Sequence, residues 1–339
     1  MKAPKRSIAP DNFRKGRLSE AEVHQWLLDL RDNPHVPESG FAVSAVFRVR
    51  AGDAEDYYFA GVNVENMDHR LSTHGEEGAI SGIVTALGKN AEIVEGWVMG
   101  APSAVKAGDK SFAANAFASC CGKCRQQIAG LAQEKAKIHY MSVNGAVETT
   151  TVGKFLPELF TFRQFIPDFA KDLGRDKAPT SAAVQKKLLR KGPLTEKQIE
   201  SWLKSLQSVD YATKTSQAMV MKLDNGYYVA GARVEEAAFV DINAAQAAVA
   251  VATAAFGARK VEAAWVYTKG RDEKKLPAKT VGTLPLSALQ TLSEFAKSKK
   301  IPVRFLGDRG LSVKKTLASA AALAPVSGQT FYRVKNQKM

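Results

Sequence analysis

The 339-residue chain is short of the residues that staple or anchor proteins, with three cysteines, four tryptophans, five histidines and only 8% aromatics. Its cysteines, Cys120, Cys121 and Cys124, lie too close together to build a disulfide framework. That excludes the small secreted scaffolds and suits a reducing compartment, where such spacing means metal binding or catalysis. No apolar run approaches the ~18 residues of a membrane-spanning helix, and Met1–Gly16 has no apolar stretch of the kind a secretory signal needs. The expectation is a cytoplasmic protein that makes no membrane contact. Acidic residues are also scarce, 34 against 48 Lys and Arg, for a net charge of +14. With 45% hydrophobic and 24% charged residues, the chain otherwise has the balance of an ordinary globular protein, and its length predicts two domains.

The positive charge is unevenly placed. Residues 1–17 carry six Lys and Arg against one Asp, residues 171–194 carry seven against two, and residues 309–339 carry six against none. The remainder is slightly acidic, so the basicity belongs to two ends and a connector. Basic arms can condense on nucleic acid. Solvated ends that aid solubility are the preferred account of them, so nucleic acid is not an expected partner, although the basic tails do not exclude it.

The chain repeats itself. Leu18-Ser-Glu-Ala-Glu-Val-His-Gln-Trp-Leu-Leu-Asp-Leu30 returns as Leu194-Thr-Glu-Lys-Gln-Ile-Glu-Ser-Trp-Leu-Lys-Ser-Leu206, each an amphipathic helix with Ser19 or Thr195 as N-cap. Tyr57-Tyr-Phe-Ala-Gly61 returns as Tyr227-Tyr-Val-Ala-Gly231, and Trp97 returns as Trp265. Shorter turns in the second copy absorb the drift in spacing. Within the first copy, residues 42–49 and 56–60 read as a hairpin, 77–87 as a helix, 92–99 as a strand, 121–134 as a helix and 138–142 as a strand. Strands separated by helices predict an α/β fold, a three-layer α/β/α unit present twice.

The chemistry concentrates in two segments, His74-Gly75-Glu76 and Cys121-Gly122-Lys123-Cys124. Together they offer three zinc ligands, His74, Cys121 and Cys124, and one carboxylate, Glu76, free to move protons; that combination resembles the zinc-dependent base deaminases. Further stretches narrow the resemblance. Gly61-Val-Asn-Val-Glu-Asn66, Pro37-Glu-Ser-Gly-Phe-Ala-Val-Ser-Ala45, Cys120-Cys-Gly-Lys-Cys-Arg-Gln126 and Phe155-Leu-Pro-Glu-Leu-Phe160 are similar, in that family's order, to motifs of the cytidine deaminases. The resemblance covers about residues 18–310 and is to the two-domain, homodimeric type with one active and one degenerate half.

The resemblance implies duplicated cytidine-deaminase-like domains with one zinc ion per chain, held by His74, Cys121 and Cys124. Zinc with an open position lowers the pKa of water, so that hydroxide reaches C4 of a cytosine ring at neutral pH. Glu76 would take the water proton, deliver it to ring N3 and then to departing ammonia. Arg125 would donate to a ligand thiolate. Asn63 and Glu65 would hold the ribose, and Phe41 would stack on the base. The implied reaction is deamination of cytidine and deoxycytidine in pyrimidine salvage, with a modified cytosine nucleoside or a polynucleotide as the alternative. The domain plan is a basic arm at 1–17, a catalytic zinc domain at 18–167, a basic linker at 168–193, a degenerate domain at 194–310 and a basic tail at 311–339.

Several positions depart from the family pattern. Cys120 stands where the family has proline, Glu38 where it has tyrosine and Ser44 where it has glycine, while Met67-Asp68-His69 replaces a segment that in relatives helps line the pocket of a neighbouring subunit. These departures leave the zinc chemistry alone and bear on pocket shape. His24, His35 and His139 read as structural. In the second copy, sequence alignment places Ala244 under His74, Gln246 under Glu76, and Leu286 and Leu289 under the two ligand cysteines, so that copy is expected to hold no zinc.

Overall fold

The computed structural model describes residues 10–166, 177–206, 215–269, 280–307, 311–321 and 331–333. The first unit runs β1 (Phe13–Lys15), α1 (Glu20–Leu30), β2 (Phe41–Ala51), β3 (Ala54–Val62), α2 (Gly75–Leu87), β4 (Ala91–Pro102), α3 (Phe112–Asn115), α4 (Gly122–Leu131), β5 (Ala132–Met141), β6 (Val147–Thr151) and α5 (Val152–Phe155). The second runs α6 (Ser181–Leu188), β7 (Leu189–Lys191), α7 (Glu196–Ser205), β8 (Ser216–Leu223), β9 (Tyr227–Ala232), α8 (Ala244–Phe256), β10 (Val261–Lys269), β11 (Thr280–Gly282), α9 (Leu286–Phe295), β12 (Pro302–Leu306), β13 (Ser312–Thr316), α10 (Leu317–Ala320) and β14 (Phe331–Arg333).

Each unit builds a six-stranded mixed sheet of the same design, ordered β1-β3-β2-β4-β5-β6 and β7-β9-β8-β10-β12-β13; β11 and β14 form a separate ribbon. The pairs β4–β5 and β10–β12 are parallel. Such pairs need a crossover, and α4 and α9 supply it. The duplicated α/β fold is therefore present.

Helix packing decides where the site can lie. On the outer face of the first sheet, Val23, Trp26 and Leu27 of α1 bury against Val46, Tyr58 and Trp97. Ile199, Trp202 and Leu203 of α7 do the same against Val220, Tyr228 and Trp265. Each such side chain removed from water contributes roughly 1.5–3 kcal/mol. The inner faces share one core, in which α2 and α8 pack against each other between the sheets. Hence α2 is buried from Gly75 to Thr85 with no exposed face.

Two glycines set the close approach of these helices to their sheets. A Cβ on Gly61 would lie 2.0 Å from the Ala79 amide nitrogen, and one on Gly231 would lie 2.1 Å from that of Ala248. Ala79 and Ala248 are thus structural equivalents.

The sheets take in residues that the sequence assigns to basic flanks. Strand β1 lies in the expected arm, α6 and β7 in the expected linker, and β13 and α10 in the expected tail. Tryptophan is the physical reason at the first two. Trp26 Nε1 donates to Asp11 O (2.9 Å) while Arg14 stacks on the ring at 4.1 Å. Trp202 Nε1 donates to Lys187 O (3.0 Å) while Arg190 stacks at 4.3 Å. Part of the basic charge is therefore committed to cation–π contacts. The rest of the arm, linker and tail, residues 1–9, 167–176, 322–330 and 334–339, lies outside the described residues. One helix is shorter than its pattern: α4 ends at Leu131, not residue 134, because Ala132 pairs with Ile93 and pulls the following residues into β5. Tertiary pairing overrides the helical propensity of Gln133-Glu-Lys135.

Candidate metal centre and active site

The three expected ligands converge from two helix starts. His74 is the N-cap of α2 and Cys121 the N-cap of α4, with Cys124 one turn into α4. His74 Nδ1 lies 3.3 Å from Cys121 Sγ and 3.2 Å from Cys124 Sγ, and the three ligand atoms fall within 4.8 Å of one another. Zinc bonds of ~2.0–2.3 Å in a tetrahedron put N and S atoms about 3.5 Å apart, so this set fits zinc after a small expansion.

The protonation pattern carries the same sign. Hydrogen bonds from the Cys124 thiol and from His74 hold the Cys121 thiol down to about 3. Cys124 is pushed up by the bond it donates to Cys121 and by burial, and His74 is raised chiefly by its bond to Cys121. A thiolate at Cys121 beside His74 is the kind of donor a metal cation takes. Cys120 behaves differently. Burial and the neighbouring Glu76 charge drive its thiol well up, and it lies outside the ligand group.

Glu76, in the first turn of α2, is 4% exposed. Burial pushes its carboxyl up, against the lowering influence of its own backbone amide and of a hydrogen bond from Cys120. A buried carboxyl whose affinity for a proton is raised is the kind of group general acid–base chemistry uses.

Glu77 escaped the sequence reading and is the residue that ties the two ligand helices together. Its Oε2 accepts the His74 amide (2.9 Å), completing a capping box; its Oε1 accepts Gln127 Nε2 (3.1 Å) and pairs with Lys123 Nζ (2.9 Å). The signal was available, since a glutamate three residues past an N-cap is the capping-box spacing.

The other expected residues fall into place unevenly. Arg125 donates from Nε to Cys120 O (2.7 Å) and from Nη1 to Phe155 O (3.1 Å). These bonds run to carbonyls, not to a thiolate, so it fastens the cysteine loop to the end of the first unit through backbone. Phe41 is 38% exposed and lies on the same strand face as Val43, whose Cγ1 would be 2.9 Å from a Cβ on Gly75. Its ring lies beside Gly100 of β4, where a Cβ would come within 3.0 Å of Cε1, outside the core. Asn63 accepts from Val43 N (2.8 Å) and donates to Phe41 O (2.9 Å), stitching β2 to the loop after β3. Glu65 Oε2 accepts the amides of Glu38 (3.0 Å) and Ser39 (3.2 Å). Burial raises this carboxyl, but hydrogen bonds from Ser39 and the two amides outweigh it and hold it below the usual range.

Two departures resolve differently. Ser44 is buried and donates to Leu27 O (2.9 Å), facing α1 on the outer side of the sheet, so it does not line the pocket. Glu38 instead reaches the loop before α2, where its Oε2 lies 3.2 Å from His69 Nε2. His139 stacks on Trp97 and bonds Glu95 and Thr149, His24 contacts Ser142 O, and the His35 ring meets Phe295; none of the three belongs to the group that could hold a metal.

The second unit surrounds the site without copying it. Gln246 Nε2 donates to Leu71 O (2.9 Å), Met67 N to Glu294 Oε2 (2.9 Å), and Gln126 Nε2 to Glu236 Oε1 (2.6 Å). Structural equivalence also corrects the alignment of the two copies. Helix α8 is capped by Asn243 with Gln246 at its third position, as α2 is capped by His74 with Glu77 there. Asn243 therefore occupies the place of His74, and Ala245 that of Glu76. Helix α9 is capped by Pro285 as α4 is by Cys121, which puts Pro285 and Ala288 in the cysteine places, one residue before the positions aligned by sequence. The expected absence of a second ligand set stands on different residues.

No protein-family model matches the chain, and no curated protein matches it. Among solved structures it is similar to cytidine deaminase from Burkholderia pseudomallei, at 20% identity over 42% of this chain and 100% of that chain, with a TM-score of 0.33. The enzyme from Mycobacterium leprae is similar at 21% identity over 42% and 100%, TM-score 0.31. That from Mycobacterium tuberculosis is similar at 19% over 42% and 98%, TM-score 0.33.

Proposed function

We propose that the chain is a zinc-dependent hydrolase that removes the exocyclic amine of cytosine in free cytidine and deoxycytidine, releasing ammonia. One observation carries this reading: His74, Cys121 and Cys124 converge within bonding range of a single ion, with Glu76 buried one turn-start away and outside the ligand set. When bound there, zinc supplies the Lewis acid that lowers the pKa of water. The chain's own residues do the rest. Glu76 carries a proton from the attacking water to ring N3 and later to the leaving amine. Phe41 covers one face of the base, and Glu65, held by two backbone amides, presents its remaining oxygen to a ribose hydroxyl. Asn63 fixes the strand end on which Phe41 and Val43 sit.

A free nucleoside is favoured over a polynucleotide because the aromatic rings at the basic edge are taken. Trp26 and Tyr57 are buried beneath Arg14 and Lys15 and offer no stacking platform for a single strand. The homodimer belongs to the same proposal, and the exposure of the large apolar side chains Met67, Phe239 and Leu286 supports it. Ammonia release from cytidine, run beside editing of a cytosine-containing oligonucleotide, tests the substrate. Turnover of the nucleoside is expected, and activity on the oligonucleotide alone would reverse the assignment.

A further inference from the structure

The second unit keeps a cavity where the first has its metal centre, and the lining has changed in kind. Its volume is about 380 Å³, enough for a molecule of sugar-phosphate or mononucleotide size. Equivalent backbone bonds, Asn63 N to Val43 O and Arg233 N to Gln217 O, set the correspondence between the two sites. Arg233 stands where Asn63 stands, Gln217 where Val43 stands and, two residues earlier, Thr215 where Phe41 stands. Among the described residues its lining offers guanidinium, hydroxyl and amide groups and no aromatic side chain.

Two of the three charged residues in the lining are arginines, and they come from different units. Arg233 is oriented by Asp241 (2.6 Å) and Glu235 (3.5 Å). Arg70, from the first unit, reaches in beside Leu71, whose carbonyl Gln246 holds. The Arg70 side chain is 89% exposed and pairs with Asp68 (2.9 Å). An exposed pair of this kind is worth less than about 1 kcal/mol, so Arg70 exchanges partners at little cost. The first amides of α8 are already taken by Asn243 Oδ1, at 3.0 Å from both Ala245 N and Gln246 N. Side chains, not the helix end, must therefore do the recognising. Planar guanidinium groups match phosphate oxygens, and a cavity far larger than one phosphate leaves room among hydroxyls and amides for a sugar.

We propose that this cavity binds a phosphorylated sugar, free or within a mononucleotide, with Arg70 and Arg233 on the phosphate and Thr215, Gln217 and Ser287 toward the sugar. The proposal does not depend on the activity of the first unit. It is tested by calorimetric titration of the full chain with ribose 5-phosphate, cytidine 5′-monophosphate and inorganic phosphate, in the wild type, Arg70→Ala and Ser287→Trp. One or both esters should bind the wild type with Kd below about 1 mM, more tightly than inorganic phosphate does. Arg70→Ala, at an exposed position that leaves the fold intact, should weaken binding about tenfold, as expected for loss of a charge-assisted contact. Ser287→Trp should abolish it by filling the cavity. Binding of the ribose ester identifies the free sugar phosphate as sufficient, and binding of the nucleotide alone identifies the nucleotide. Absence of binding by both esters, equal binding of inorganic phosphate, or unchanged affinity in Arg70→Ala would overturn the proposal.

Discussion

Gln126, two residues past Cys124, donates through Nε2 to Glu236 Oε1 of the second unit at 2.6 Å. Glu236 is 4% exposed, and burial pushes its carboxyl up to about 7, with the bond from Gln126 and the Ala237 amide opposing and the Asp241 charge adding. The folded state therefore keeps a proton that the unfolded chain gives up near its ordinary value of 4.5. Below that value the group costs nothing, and between there and about 7 stability falls as pH rises, because the folded state binds more protons. Glu236→Gln removes the dependence. In urea denaturation the variant should match the wild type near pH 4.5 and exceed it by up to about 3 kcal/mol at pH 8. A wild-type advantage at pH 8 would contradict this account of the interface.

The loop between β3 and α2 is held from the second unit by Gln246 on Leu71 O and Glu294 on Met67 N. The same loop carries His69, which contacts Glu38 beside the amides that fix Glu65. Gln246→Leu and Glu294→Ala should each raise KM for cytidine about fivefold, near the ~1 kcal/mol of one hydrogen bond, with kcat unchanged. An equal fall in kcat would place these residues in the chemistry instead.

In the proposed centre Cys121 and Cys124 are ligands and Cys120 is a neighbour. Cys124→Ala should lose bound zinc by elemental analysis. Cys120→Ala should keep one ion per chain and lose only about 1 kcal/mol of stability for a small buried group. Zinc retained in the first variant and lost in the second would reverse the assignment of the loop.

Gly61 admits no side chain, since a Cβ would fall 2.0 Å from a helix amide. Gly61→Ala must therefore push α2 off β3, taking His74 and Glu76 with it. A loss of more than about 3 kcal/mol, or failure to fold, is expected by thermal denaturation. A variant of normal Tm and normal zinc content would show that α2 does not rest on this strand.

Much of this arrangement is legible in local patterns. The capped helices at Ser19 and Thr195, the paired tryptophans and the ligand spacing from His74 to Cys124 each depend on residues near in sequence. Pairings that depend on distant partners were not legible. The copies drift by one residue at Asn243 and Pro285 because the loops before α8 and α9 are a residue out of step with their counterparts, and only helix caps reveal it. Ser44 reads as a pocket residue until the pleat of β2 is seen to turn it toward α1. Strand β1 hides in a basic arm because its lysine and arginine are spent on aromatic rings. The contacts from Gln246, Glu294 and Glu236 cross between units and leave no periodic trace.

The central claim is one zinc-bearing catalytic site per chain, with Glu76 moving the protons. The measurement that tests it most directly is ammonia release from cytidine by zinc-loaded wild type and Glu76→Gln, with zinc content determined on the same samples. The account predicts one zinc per chain in both, turnover by the wild type, and a loss of at least about a hundredfold in the variant. Zinc-loaded wild type that turns over no pyrimidine nucleoside, or a Glu76→Gln variant of near-normal activity, would contradict it.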